Sequence, residues 1–188
     1  MGETSFYTRD ELAQLGLASY GDEVFISRKC SIYHPGTISL GHHVRIDDFC
    51  ILSGGEGITL GNYVHISCFC ALYGGAGIVM GDYTGLSARV TVYSESDDFS
   101  GASVVGPWFP MTMKPGYIRG RVEIGRYVQV GAASSILPGV VIGEGAAVGA
   151  HALVRASCEA WMIHGGVPAR PLKQRKKDLR HLLETVTG

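Results

Sequence analysis

Apolar side chains recur along the chain every six residues, at Leu40, Ile46 and Leu52, at Leu60, Ile66 and Leu72, and at Met80, Leu86 and Val92. The step between triplets is eight, and a glycine follows the first member of each, at Gly41, Gly61 and Gly81. Ile26 and Ile32 extend the series backwards. Ile118, Ile124, Val130, Ile136, Ile142, Val148 and Val154 extend it forwards. A second row stands two residues earlier, running Cys30, Ile38, Val44, Cys50, Ile58, Val64, Cys70, Ile78, Thr84 and Val90, then from Val122 and Val128 to Ala152. Residues two apart on a strand share a face, so each hexapeptide predicts a short strand with two inward side chains and then a turn. Three such strands predict a triangular coil of 18 residues. The early coils are longer by two at one corner, at Gly54-Gly55-Glu56-Gly57 and Gly74-Gly75-Ala76-Gly77.

The repeat breaks once. Val92 and Ile118 are 26 residues apart where the same corner otherwise takes eight, and the positions in phase between them are Ser100, Gly106 and Thr112. Residues 93–117 therefore predict an inserted loop with about 18 extra residues, of the length that tends to carry function. Its Pro107, Trp108, Phe109, Pro110 and Tyr117 can enclose a pocket, with Trp108 against substrate, and Glu95, Asp97 and Asp98 supply charge. Thr8-x-x-Glu11 is a capping box that opens a short helix closing near Gly16. The tail after Pro171 predicts a second helix, with Leu172, Leu179, Leu182 and Leu183 apolar and Lys173, Arg175, Lys176, Lys177 and Arg180 on a solvated face. The chain thus divides into a helical segment 1–23, a repeat region 24–156 and a C-terminal segment 157–188.

Composition narrows the function classes. The 16 Lys and Arg nearly cancel the 17 Asp and Glu, which argues against nucleic acid as a partner. No run of apolar residues is long enough to span a membrane and the N-terminal stretch is no secretory signal, so a cytoplasmic protein is expected. Five cysteines, an odd number, read as reduced thiols. The stretch VHISCFCALYGG resembles a metal site, with His65, Cys68 and Cys70 close together. The register separates them. Cys70 stacks inward with Cys30 and Cys50, His65 points outward and Cys68 falls at a turn, so no metal is expected.

The repeat over 24–156, with the run VGA…VGAHALV…GVPAR, resembles the hexapeptide-repeat acetyltransferases of the galactoside and maltose type. The resemblance implies an all-β fold, a left-handed parallel β-helix of hexapeptide repeats, assembled as a homotrimer. It implies acetyl-CoA as co-substrate and a sugar as acceptor. On its motifs Ala132 and Ala150 line the pantetheine channel, and Arg170 and Lys173 meet the coenzyme's phosphates. Arg155 takes a coenzyme-binding place where relatives usually have Thr. The γ-type carbonic anhydrases share this fold, but their His-x4-His pair is missing from this sequence.

In the resembling enzymes a loop histidine is the general base. Its place here falls on Asp97, and 93–117 contains no histidine. Asp97 or Asp98 could replace it if burial raised the carboxyl pKa towards neutrality; His65, outward and one coil back, is the other candidate. Arg45 and Asp47 lie on the same outer face as His65 and are candidate binders of an anionic substrate. An amine acceptor asks less of its base than a hydroxyl does. The missing histidine therefore favours a nucleotide-linked amino sugar, as in surface polysaccharide or O-antigen (lipopolysaccharide) synthesis. The alternatives are a sugar O-acetyltransferase and a non-catalytic scaffold.

Overall fold

A strand of two or three residues forms too few hydrogen bonds to persist alone, so these strands form only as stacked rungs. The computed structural model, which describes residues 5–187, shows that stack as a parallel β-solenoid of about seven turns. Face one runs through Ile38–Leu40, Ile58–Leu60, Ile78–Met80, Val122–Ile124 and Val141–Ile142. Face two runs through Phe25–Ile26, Arg45–Ile46, His65–Ile66, Gly85–Leu86, Gln129–Val130, Ala147–Val148 and Met162–Gly165. Face three runs through Ser31–Tyr33, Ile51–Ser53, Ala71–Tyr73, Thr91–Tyr93, Ser135–Ile136 and Leu153–Val154. Both inward rows are buried along almost their whole length, and they form one core closed at its base by Leu12 of the N-terminal helix Arg9–Gln14. Thr8 and Glu11 make the expected reciprocal cap of that helix.

The three stacked cysteines stay free thiols, as do Cys68 and Cys158. Each thiol of the column donates to a carbonyl oxygen of the next coil at 3.1 Å: Cys30 to Asp47, Cys50 to Ser67 and Cys70 to Ser87. Among the described residues no cluster suited to hold a metal ion forms. No helix among them is long and apolar enough to cross a membrane.

The corners carry a feature that the spacing search passes over. Where face one turns into face two, the corner residue sits in the left-handed region at His43, Tyr63, Tyr83, Tyr127 and Trp161. That backbone disfavours side chains other than glycine, Asn and Asp. The rings offset the strain by stacking on one another, with centroids 4.5 Å apart for His43–Tyr63, 4.9 Å for Tyr63–Tyr83 and 5.5 Å for Tyr83–Tyr127. Tyr63 and Tyr83 are stacked on both faces, so the middle of the ladder offers its ring edges outward.

Four expectations are corrected. Ile118 is not an inward residue of the prism; it is 52 % exposed and pairs antiparallel with Ser96 at the foot of the loop. The coil resumes only at Val122, which lies 44 residues beyond its partner Ile78 where Ile78 lies 20 beyond Ile58, so the insertion adds 24 residues. The C-terminal helix begins at Asp178, while Arg170–Gln174 folds back as a strand against Met162–Gly165. Pro171 suits that edge position, since it has no N–H to donate and disfavours helix before it. Arg175 lies on no solvated helix face: its guanidinium donates to the carbonyls of Tyr127, Gly145 and Ala146 at 2.7–3.1 Å.

Candidate active site

Pairing puts the outward side chains of face two in one file: Phe25, Arg45, His65, Gly85, Gln129, Ala147 and Ile163. Midway along it lies a hollow of about 440 Å³ bounded by Tyr63, His65, Ser67, Gly85, Ser87 and Gln129. Its floor is Gly85, the one member of the file without a side chain. Gln129 leans over the gap, its amide nitrogen 3.3 Å from the Ser87 hydroxyl.

Below the hollow the structure brings together three residues expected from the sequence. Asp47 Oδ1 accepts from Arg45 Nε at 2.7 Å, and Asp47 Oδ2 meets His65 Nε2 at 2.8 Å. Burial pushes the Asp47 carboxyl up, but the hydrogen bonds and charges of Arg45 and His65 outweigh it and hold it below its ordinary value. An ionised carboxylate only accepts, so in this contact His65 Nε2 is the donor. Arg45 and Asp47 are thus engaged with the histidine system rather than lying as a loose charged row.

Asp97 and Asp98 sit elsewhere. The loop leaves the corner between faces three and one, on the edge opposite face two, so one chain's Asp97 does not share a hollow with its own His65. Asp97 Oδ1 accepts from Lys114 Nζ at 3.0 Å and Oδ2 from the Gly106 amide at 3.2 Å. These bonds hold its pKa below the ordinary carboxylate value, so the rise that a base active near neutrality would require does not occur. The physical reason is that its partner is a cation, and the group is not buried deeply enough for desolvation to win. Asp98 is likewise held low by the amide and hydroxyl of Ser100 and the amide of Ala102, which organise the loop's first turn.

Lys114 is buried at 7 % exposure, with its ammonium over the Tyr117 ring. The Tyr117 hydroxyl donates to Glu95 at 3.0 Å, and burial together with that carboxylate pushes its pKa up to about 12. Arg119 ties Glu95 to Glu56 and to the Gly75 carbonyl, fixing the loop's foot to the coil corner. Trp108 does not pack into this framework: it is 90 % exposed, and Phe99 is 94 % exposed.

Above the hollow, Ala132 and Ala150 occupy successive rungs of the corner after face two, and Arg155, Arg170 and Lys173 are exposed at the upper end. Small residues there do not all serve a ligand. A Cβ on Gly131 would collide with the backbone of Ala150, so the stacking of coils itself requires that glycine. At Gly149 a Cβ would come no nearer than 3.5 Å to the His164 carbonyl, so that position is free of the constraint. Ser87, Gln129 and Gly85 escaped the sequence search because each looks ordinary within a hexapeptide; only the register between coils groups them.

The prism defines a fold class, the parallel β-solenoids built on hexapeptides. Residues 118–156 match the family described as bacterial transferase hexapeptide (six repeats). A dTDP-4-amino-4,6-dideoxy-D-glucose acyltransferase of Escherichia coli is 39 % identical over 95 residues, which are 50 % of this chain and 49 % of that protein, so the match spans about half the curated relative. The structure of AntD, an N-acyltransferase from Bacillus cereus, superposes with a TM-score of 0.95 at 47 % identity, covering 98 % of each chain. Galactoside acetyltransferase in complex with coenzyme A shares the fold at a TM-score of 0.58 and 15 % identity, covering 92 % of this chain and 72 % of that one. The chain belongs to the hexapeptide-repeat transferase family.

Proposed function

We propose that the protein is a coenzyme A-dependent N-acyltransferase acting on the amino group of a nucleotide-linked amino sugar. The likeness to AntD carries this reading, since AntD structures hold dTDP, dTDP-4-amino-4,6-dideoxyglucose, coenzyme A and 3-hydroxybutyryl-CoA. The chemistry of the site supports it. The acceptor amine attacks the thioester carbonyl, the C–S bond breaks, the coenzyme leaves as its thiol and the amine loses one proton overall. Attack makes the nitrogen strongly acidic, so a carboxylate such as Asp97, kept ionised by Lys114, suffices to receive that proton. A hydroxyl acceptor would need a stronger base. His65 stands on the wall of the hollow as the second proton acceptor.

Asp97 and His65 lie on opposite sides of the prism, which favours a homotrimer whose loop covers the groove of the next copy. The exposed Phe99 and Trp108 suit such a neighbour or its substrate. In that assembly Arg45 and Asp47 position His65 beside the acceptor, Ala132 and Ala150 pass the pantetheine arm, and Arg155, Arg170 and Lys173 meet the phosphates. The acceptor class fits a cytoplasmic step in building surface polysaccharide.

The test is release of coenzyme A thiol from acetyl-CoA and 3-hydroxybutyryl-CoA with dTDP-4-amino-4,6-dideoxyglucose or its 4-hydroxy counterpart. Turnover with the amine alone is expected. Turnover with the hydroxyl sugar would overturn the N-acyl assignment. Sedimentation gives the mass of the assembly.

A further inference from the structure

Gly85 is unexplained by the fold. Its backbone is not in the left-handed region, and the equivalent places on other coils carry Arg45, His65, Gln129 and Ala147. Glycine inside a strand weakens it, because it adds chain entropy and offers nothing to pack. A Cβ built there meets the side-chain amide of Gln129, its oxygen at 2.7 Å and its carbon and nitrogen at 3.4 Å, which is the far end of a flexible side chain. What the glycine provides is space, directly above His65 and beneath the Gln129 amide. The walls of that space are Ser67, Ser87, His65, Gln129 and Tyr63, groups that exchange hydrogen bonds with hydroxyls. Its volume of about 440 Å³ falls in the range of small-molecule sites.

We propose that Gly85 is a specificity-determining position, its missing side chain admitting the sugar ring of the acceptor between His65 and Gln129, with the Gln129 amide hydrogen-bonded to a ring hydroxyl. This rests on the acyltransferase reading above and names the subsite that reads the sugar rather than the nucleotide. Any side chain at position 85 fills the floor of the hollow and lifts the ring away from His65. The nucleotide and the coenzyme lie beyond its reach and keep their affinities.

Calorimetry on the wild type, Gly85→Ala and Gly85→Val, with dTDP, dTDP-4-amino-4,6-dideoxyglucose and coenzyme A as separate probes, tests this. The wild type binds the sugar nucleotide more tightly than dTDP. Gly85→Val removes that advantage, weakening the sugar nucleotide about tenfold while dTDP and coenzyme A stay within about twofold. Gly85→Ala shows the same loss at about threefold and covers the case in which the valine variant misfolds; melting temperatures of both are expected at or above wild type. An undiminished sugar advantage in both variants would overturn the proposal, as would weaker coenzyme A binding in place of weaker sugar binding. A wild type that binds coenzyme A but neither nucleotide would instead overturn the functional reading on which the proposal stands.

Discussion

In the prism, Leu72 is held between Leu52 below and Val92 above by a backbone ladder repeated at every coil. In the loop, Asp97 is held by one lysine and one amide. The prism shares its stability over dozens of equivalent contacts, and removing one side chain leaves a cavity that the stacked rungs cannot close. The loop concentrates its order in a few charged bonds around Asp97, Asp98 and Glu95, each replaceable without touching the core. Damage to the prism should therefore register in global stability, and damage to the loop in catalysis and local order.

The largest effect is expected in the core. Leu72→Ala should cost about 2–5 kcal/mol in chemical denaturation, because the fully buried side chain leaves a void between two fixed neighbours. A loss below about 1 kcal/mol would mean that the rungs slide to fill it, and the contrast with the loop would blur.

On the proposed mechanism, Asp97→Asn should lower kcat about 100-fold with the melting temperature unchanged. His65→Asn should do the same. Mixing and reassembling the two variants should then restore part of the activity, since some grooves would pair an intact loop with an intact face two. Failure of complementation, with both variants folded and inactive, would place Asp97 and His65 in one chain's site and contradict their separation on the prism.

Lys114→Met sharpens the comparison further. Lys114, with Tyr117, Glu95 and Arg119 beside it, clamps the loop from its C-terminal side. Its loss should increase proteolysis within residues 98–113 and lower kcat about tenfold, with chemical denaturation unmoved. The pH dependence has a definite sign. Asp97 has a folded pKa below its unfolded value, so the pair orders the loop fully above about pH 4 and loses that effect as pH falls through the lower folded value. Wild-type loop proteolysis should therefore rise in acid, and the variant's should show no such step.

The same contrast explains what could be read from the chain. The six-residue period places Ile46, Ile66 and Leu86 inside and Arg45, His65 and Gly85 outside, because the pleat leaves no other option once the rungs stack. It could not show that Asp47 would turn to both Arg45 and His65, nor that Asp97 would meet Lys114 17 residues on. Those meetings depend on how side chains fold over surfaces, not on period. Ile118 continued the period by spacing alone and stands outside the prism, since the loop's antiparallel foot claims Ser96 and Ile118 first. Arg175 was misread for a related reason: a basic run signals solvent until three carbonyls at a coil corner need a donor.

The aromatic ladder was legible and passed over. His43, Tyr63 and Tyr83 recur every 20 residues, each just before an inward Val or Thr. It also predicts the smallest effect. Tyr83 stacks on Tyr63 and on Tyr127 while holding a left-handed backbone at φ 57°. Tyr83→Leu keeps the strain and loses both ring contacts, so it should cost about 1–2 kcal/mol, from two pairs at about 0.5–1.5 kcal/mol each less what the leucine recovers. Tyr83→Gly relieves the strain, and its cost should not exceed that of the leucine variant even though more surface is removed. If the glycine variant is clearly the worse of the two, stacking is not what sustains the left-handed corners, and the ladder contributes by burial alone.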